Sequence, residues 1–186
     1  MPSSRRGCFR LESIWRSLNT CWPRRRGSTA LSPRCAAPHA GSPNISENTA
    51  PIRLYVAGHS AGGHLTAMTM PLTEVRGGIP ISGIYDLEPI RLNYLNEKLA
   101  LDTRKAERNS PVRHLPVTAG ELVVAYGTRE LPELCRQSTE YARRWTEQGL
   151  PGHLLPVDGA DHFTILDSLA RADGALTRAL LAMLGR

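Results

Sequence analysis

Five residues between two apolar stretches, Gly58-His59-Ser60-Ala61-Gly62, have the types and spacing to turn a serine hydroxyl into a nucleophile. When a Gly-x-Ser-x-Gly segment joins a strand to a helix, small residues flank the apex and the serine takes a strained backbone with its Oγ exposed. The next N–H then points at a developing oxyanion. Ser60 is the candidate nucleophile and the Ala61 N–H the candidate oxyanion donor. The same five residues also suit a plain glycine-rich strand-to-helix turn, or an anion site at a helix N-terminus. The chemistry therefore depends on partners elsewhere: a base to take the hydroxyl proton and an acid to orient that base.

The chain has six histidines. His39 lies in a stretch without periodicity, His59 and His64 flank the pentapeptide where packing or capping suits them, and His114 and His153 sit in polar connections. His162, in Gly159-Ala160-Asp161-His162-Phe163, directly follows an apolar run. Loops at the carboxyl ends of parallel strands are where catalytic groups collect, so His162 is the candidate base. Glu130 is the candidate acid on the same grounds, since it comes after the apolar run 121–126 through Gly127-Thr128-Arg129. Glu133, Asp158 and Asp161 compete with it. Glu133 opens a helix, where a carboxylate complements the dipole, and Asp161 adjoins the histidine that it would have to orient.

The elements that must position these residues alternate. Periodicity predicts strands over 52–57, 78–82, 121–126 and 154–157. It predicts helices over 61–71, around 93–101, over 132–148 and over 163–184 with a break near Gly174; charged turns fill the stretch from 102 to 116. Such alternation implies an α/β fold whose roughly four strands are mostly parallel. In the helix over 132–148, Leu134, Tyr141, Ala142 and Trp145 form the apolar face, and Cys135 reads as a small buried side chain.

Residues 1–50 differ from the rest. They hold eight Arg, eight Ser, five Pro and no Lys, with two Glu, so the whole formal charge of +6 belongs to them. The other 136 residues carry 15 basic and 15 acidic side chains. The basic balance therefore says nothing about the folded part, and no nucleic-acid partner is expected. Segment 1–50 reads as disordered, as a targeting sequence, or as the product of a shifted reading frame or mis-set start; Arg24-Arg25-Arg26 could bind phosphates. The chain thus divides into 1–50 and a domain over 51–186. Cys8, Cys21 and Cys35 show no metal-ligand spacing, and no apolar run is long enough to span a membrane. The expectation is a cytoplasmic protein with no membrane partner.

Ser60, Glu130 and His162 occur in the serine–acid–histidine order of α/β-hydrolases. The segments 58–65, 81–90 (Ile-Ser-Gly-Ile-Tyr-Asp-Leu-Glu-Pro-Ile), 130–138 and 161–166 (Asp-His-Phe-Thr-Ile-Leu) resemble the kynurenine formamidase, or arylformamidase, branch of the esterase/lipase-like α/β-hydrolases. The resemblance covers 51–186. It implies a Ser60–Glu130–His162 triad and hydrolysis of N-formyl-L-kynurenine to L-kynurenine and formate, with no metal or cofactor and a small molecule as partner. General small-ester carboxylesterase activity and a catalytically dead remnant are the alternatives.

The family often has Asp where Glu130 stands. It also has a His-Gly-Gly loop that supplies further oxyanion donors, and this chain has no His-Gly-Gly; residues 14–19 faintly echo the segment after that loop in relatives. Losing one such donor costs about 10² to 10³ in rate. An α/β-hydrolase fold that is partial on the N-terminal side would leave the strand 52–57 with a free edge, a surface that favours homo-oligomers.

Overall fold

The computed structural model describes residues 53–186. The expectations for 1–50, among them the arginine run, His39 and the echo at 14–19, lie outside the described residues. Strands β1 (Leu54–His59), β2 (Val75–Ile81), β3 (Glu121–Gly127) and β4 (Gly152–Val157) form one sheet in the order β1-β2-β3-β4, and every pairing is parallel. Helices α1 (Ala61–Thr69), α2 (Thr103–Arg108), α3 (Pro132–Glu147) and α4 (Ala175–Met183) accompany it.

Register decides where the chemistry can be. His59 pairs with Ile81, Ile81 with Ala125, and Gly127 with Val157, so the carboxyl ends of the four strands lie side by side. The pentapeptide, the bend after β2, the turn with Glu130 and the loop with His162 all leave the sheet at that end.

The core reflects alternation along β3. Leu122 and Val124 pack on one face with Ala67, Met70, Tyr141 and Trp145, while Val123 and Ala125 face the other way toward Ile79, Ile81, Ile165, Leu176 and Met183. A strand buried on both faces reads as a continuous apolar run, as Leu122-Val123-Val124-Ala125 does. Burying a side chain the size of Leu122, Val123 or Val124 contributes about 1.5–3 kcal/mol of transfer free energy. On α3 the inward stripe is Gln137, Ser138, Tyr141, Ala142 and Trp145, and the Trp145 indole N–H donates to the Pro151 carbonyl at 2.9 Å. Its outward face carries ion pairs one turn apart, Arg136–Glu133 and Arg143–Glu140.

Several boundaries differ from expectation. The strand expected over 78–82 begins at Val75, because Val75 and Gly77 pair with Leu54 and Tyr55 of β1; it ends at Ile81, because Ser82 turns to φ 51°. The strand expected over 154–157 starts at Gly152, opposite Leu122. The helix expected around 93–101 is a single turn at Asn96–Leu99, closed by Ala100 at φ 50° and preceded by another turn at Glu88–Arg91. The charged stretch after it contains α2, whose first turn is capped by the Asp102 carboxylate accepting from the Lys105 N–H at 2.7 Å. The C-terminal stretch divides into a 3₁₀ helix, Thr164–Leu169, and α4, with Gly174 capping the latter. Among the described residues, β1 has a strand partner on one side, and no helix is long and apolar enough to cross a membrane.

Candidate functional site

Ser60 stands at the apex between β1 and α1 with φ 58° and ψ −116°, a conformation that non-glycine residues rarely adopt. Two backbone bonds hold it there: its N–H donates to the Ile81 carbonyl at 2.8 Å, and its own carbonyl accepts from the His64 N–H at 3.1 Å. The apex is also crowded. A Cβ on residue 58 would lie 2.4 Å from the Gly62 carbonyl oxygen, so only glycine allows this approach, whereas a Cβ on Gly62 would meet nothing within 4 Å. The Ser60 hydroxyl makes no capping bond to α1. Instead it meets the His162 ring, with Nε2 at 3.1 Å from Oγ. Ala61 is the first residue of α1, where a backbone N–H has no partner within the helix.

His162 lies in the loop after β4. Asp161 shapes this loop by accepting at Oδ1 from the N–H groups of Phe163 and Thr164, each at 2.9 Å. A second hold comes from His59, whose Nε2–H donates to the His162 carbonyl at 2.6 Å, with the two rings 4.7 Å apart. Burial lowers the His59 pKa, which favours this neutral donor.

Glu130 faces the far side of the imidazole, Oε2 being 3.4 Å from His162 Nδ1. Its side chain is wholly buried. The other oxygen, Oε1, accepts from the Gly127 N–H at 2.9 Å and from the Ser82 hydroxyl. Burial alone would raise the Glu130 pKa, but hydrogen bonds from His162, Ser82 and Gly127 outweigh it and hold the carboxyl below the usual range. The turn that carries Glu130 is sewn to the histidine loop: the Arg129 N–H donates to the Ala160 carbonyl at 2.9 Å, and the Gly159 N–H to the Thr128 hydroxyl at 2.9 Å. A Cβ on Gly127 would sit 2.4 Å from the Ala160 carbonyl, so glycine permits that contact as well.

The three side chains singled out in the sequence therefore lie together, and the competing carboxylates are engaged elsewhere. Glu133 pairs with Arg136 at 2.7 Å, Asp158 accepts from the Thr128 hydroxyl at 3.2 Å, and Asp161 caps its own loop. His64 is buried against the Asn109 carbonyl at 2.7 Å, and His114 meets the Glu107 carbonyl at 2.9 Å. Cys135 is half-buried beside the turn that carries Glu130, with Sγ 3.8 Å from the Glu130 carbonyl oxygen.

Sequence reasoning missed Ser82 and Gln137. Gln137 Oε1 accepts from the N–H groups of Tyr85 and Asp86, each at 2.8 Å, and so grips the chain just after Ser82. A glutamine one turn before Tyr141 on the apolar face of α3 was the available signal. Among the described residues, no cluster of three His, Cys, Asp or Glu side chains could hold a metal ion.

No family model matches the chain. The kynurenine formamidase of Danio rerio is 37% identical over 146 residues, covering 72% of this chain and 50% of the relative. The chain is homologous to the kynurenine formamidases. That of Salmo salar is likewise 37% identical, over 147 residues, with the same coverage. The chain thus spans about half the length of the curated relatives it matches. Among solved structures, a candidate thioesterase from Silicibacter superposes with a TM-score of 0.58 at 28% identity, covering 66% of this chain and 48% of that one. An esterase from Thermogutta terrifontis gives 0.53 at 22%, covering 70% and 56%. The fold of the described residues is that of the α/β-hydrolases, and these four strands with their helices are part of it.

Proposed function

We propose that this chain is a serine hydrolase of the arylformamidase type, cleaving N-formyl-L-kynurenine to L-kynurenine and formate with Ser60, His162 and Glu130. The observation that carries this reading is the His162 ring, which bridges Ser60 Oγ at 3.1 Å and Glu130 Oε2 at 3.4 Å. In the first step His162 Nε2 takes the Ser60 proton as Oγ attacks the formyl carbonyl, and the oxyanion forms toward the Ala61 N–H. Glu130 holds the Nδ1–H and stabilises the imidazolium. On collapse, the C–N bond breaks, His162 returns the proton to the departing aryl amine, and a formyl ester stays on Ser60. Water, deprotonated by His162, then attacks that ester; the bond from the formyl carbon to Oγ breaks, His162 returns the proton to Ser60, and formate leaves. An aryl group suits the site because Phe163, packed edge-on to His162 at 5.4 Å, keeps 73% of its surface exposed.

Formate release from N-formyl-L-kynurenine by the purified chain tests the reading. Activity should vanish in Ser60→Ala, and fall steeply in Glu130→Gln but not in Glu133→Gln. A higher kcat/KM for a nitrophenyl acetate than for the formamide would make the chain a small-ester carboxylesterase that uses the same three residues.

A further inference from the structure

The bend after β2 holds a side chain whose placement neither packing nor the strand explains. Ser82 sits at φ 51°, in the left-handed region that glycine enters freely and that side chains avoid. It is completely buried, its N–H donates to the Ala125 carbonyl at 2.8 Å, and its hydroxyl donates to Glu130 Oε1. Glycine, the residue that would relieve the backbone, is next in the chain at Gly83 rather than at the strained position. A strained, fully buried serine whose hydroxyl bonds the carboxylate on the His162 ring is the kind of outlier that points to a role.

We propose that Ser82 is a positioning residue for Glu130: its hydroxyl, with the Gly127 N–H, holds Oε1 so that Oε2 is left for His162 Nδ1. This deepens the serine-hydrolase reading and rests on it. Two donors on one oxygen fix the carboxylate's rotation about its last bond and favour its ionised form. Gln137 contributes by clamping Tyr85 and Asp86, which come after the bend. Glu130 is also within the field of His162, His59, Tyr85 and Cys135.

Ser82→Gly separates the hydroxyl from the bend, because it removes the donor while suiting φ 51°. In the full chain this variant should fold with a melting temperature close to that of the parent. A ¹³C titration of the Glu130 carboxyl should move upward. Modification of Ser60 by a fluorophosphonate should slow about tenfold, and kcat should fall with KM unchanged. Ser82→Ala, which keeps the backbone strain, should show the same losses of rate. An unchanged Glu130 titration in Ser82→Gly would overturn the proposal, and so would a Ser60 modification rate equal to that of the parent. Failure of the parent itself to be modified at Ser60 is a separate result, and it would overturn the hydrolase reading instead.

Discussion

Strands β1 and β3 both end near a residue of the proposed chemistry, yet they are supported in different ways. Residues 122–125 of β3 are all buried, and the strand is paired on both sides; β1 is paired on one side among the described residues and exposes Leu54 and Ala57. Beyond β3, the Glu130 turn is sewn to the His162 loop by hydrogen bonds and by the close contact at Gly127. Beyond β1, the Ser60 apex depends on two backbone bonds and the close approach of Gly58 to Gly62. The Glu130–His162 half is joined to a strand buried on both faces. The Ser60 apex depends on backbone crowding at Gly58 and Gly62, so the two halves should respond differently to substitution.

The largest difference should come from truncating each strand. Leu122→Ala on β3, at a residue 1% exposed, should cost about 2–5 kcal/mol in urea unfolding. Leu54→Ala on β1, at a residue 46% exposed, should cost under about 1 kcal/mol. Equal losses would mean that the outer side of β1 is as well covered as β3. Next in size is Gly58→Ala, whose new Cβ meets the Gly62 carbonyl. It should cost about 1–3 kcal/mol and displace Ser60 from His162, so formate release should drop with it. Gly62→Ala faces open space within α1 and should be neutral or stabilising by up to about 1 kcal/mol. A reversal of that pair would show that crowding does not shape the apex.

The smallest effect concerns acid. Because the folded Glu130 pKa lies below its ordinary value, the contacts of its carboxylate add stability that is present above the ordinary carboxylate range. That contribution is lost as pH falls through the folded pKa. Melting curves taken from neutral to acid pH should therefore fall less steeply for Glu130→Gln than for the parent. Parallel curves would mean that the turn after β3 gives the carboxylate no net support.

How much of this could be read from sequence depended on whether the signal was periodic. The run Leu122-Val123-Val124-Ala125 and the Gly-bounded pentapeptide announce a buried strand and a sharp turn. His162 and Glu130 are then legible because they stand just past strand ends, though their approach to one another is a tertiary fact. The start of β2 was hidden because Arg76-Gly77-Gly78 reads as a turn until pairing with β1 and β3 overrides propensity. Helix α2 was hidden among charges, although Asp102 is a good N-cap. Ser82 could not be found in this way, since a positive φ and a buried hydroxyl bond leave no mark on residue spacing.

Whether the His162 ring makes Ser60 a nucleophile is measured most directly by covalent modification. The full chain is treated with a fluorophosphonate, and the adduct is located by mass spectrometry of its peptides. The account predicts one adduct, on Ser60, that is absent in Ser60→Ala and forms at least about a hundredfold more slowly in His162→Gln. Modification of another residue, or an unchanged rate at Ser60 in His162→Gln, would contradict it.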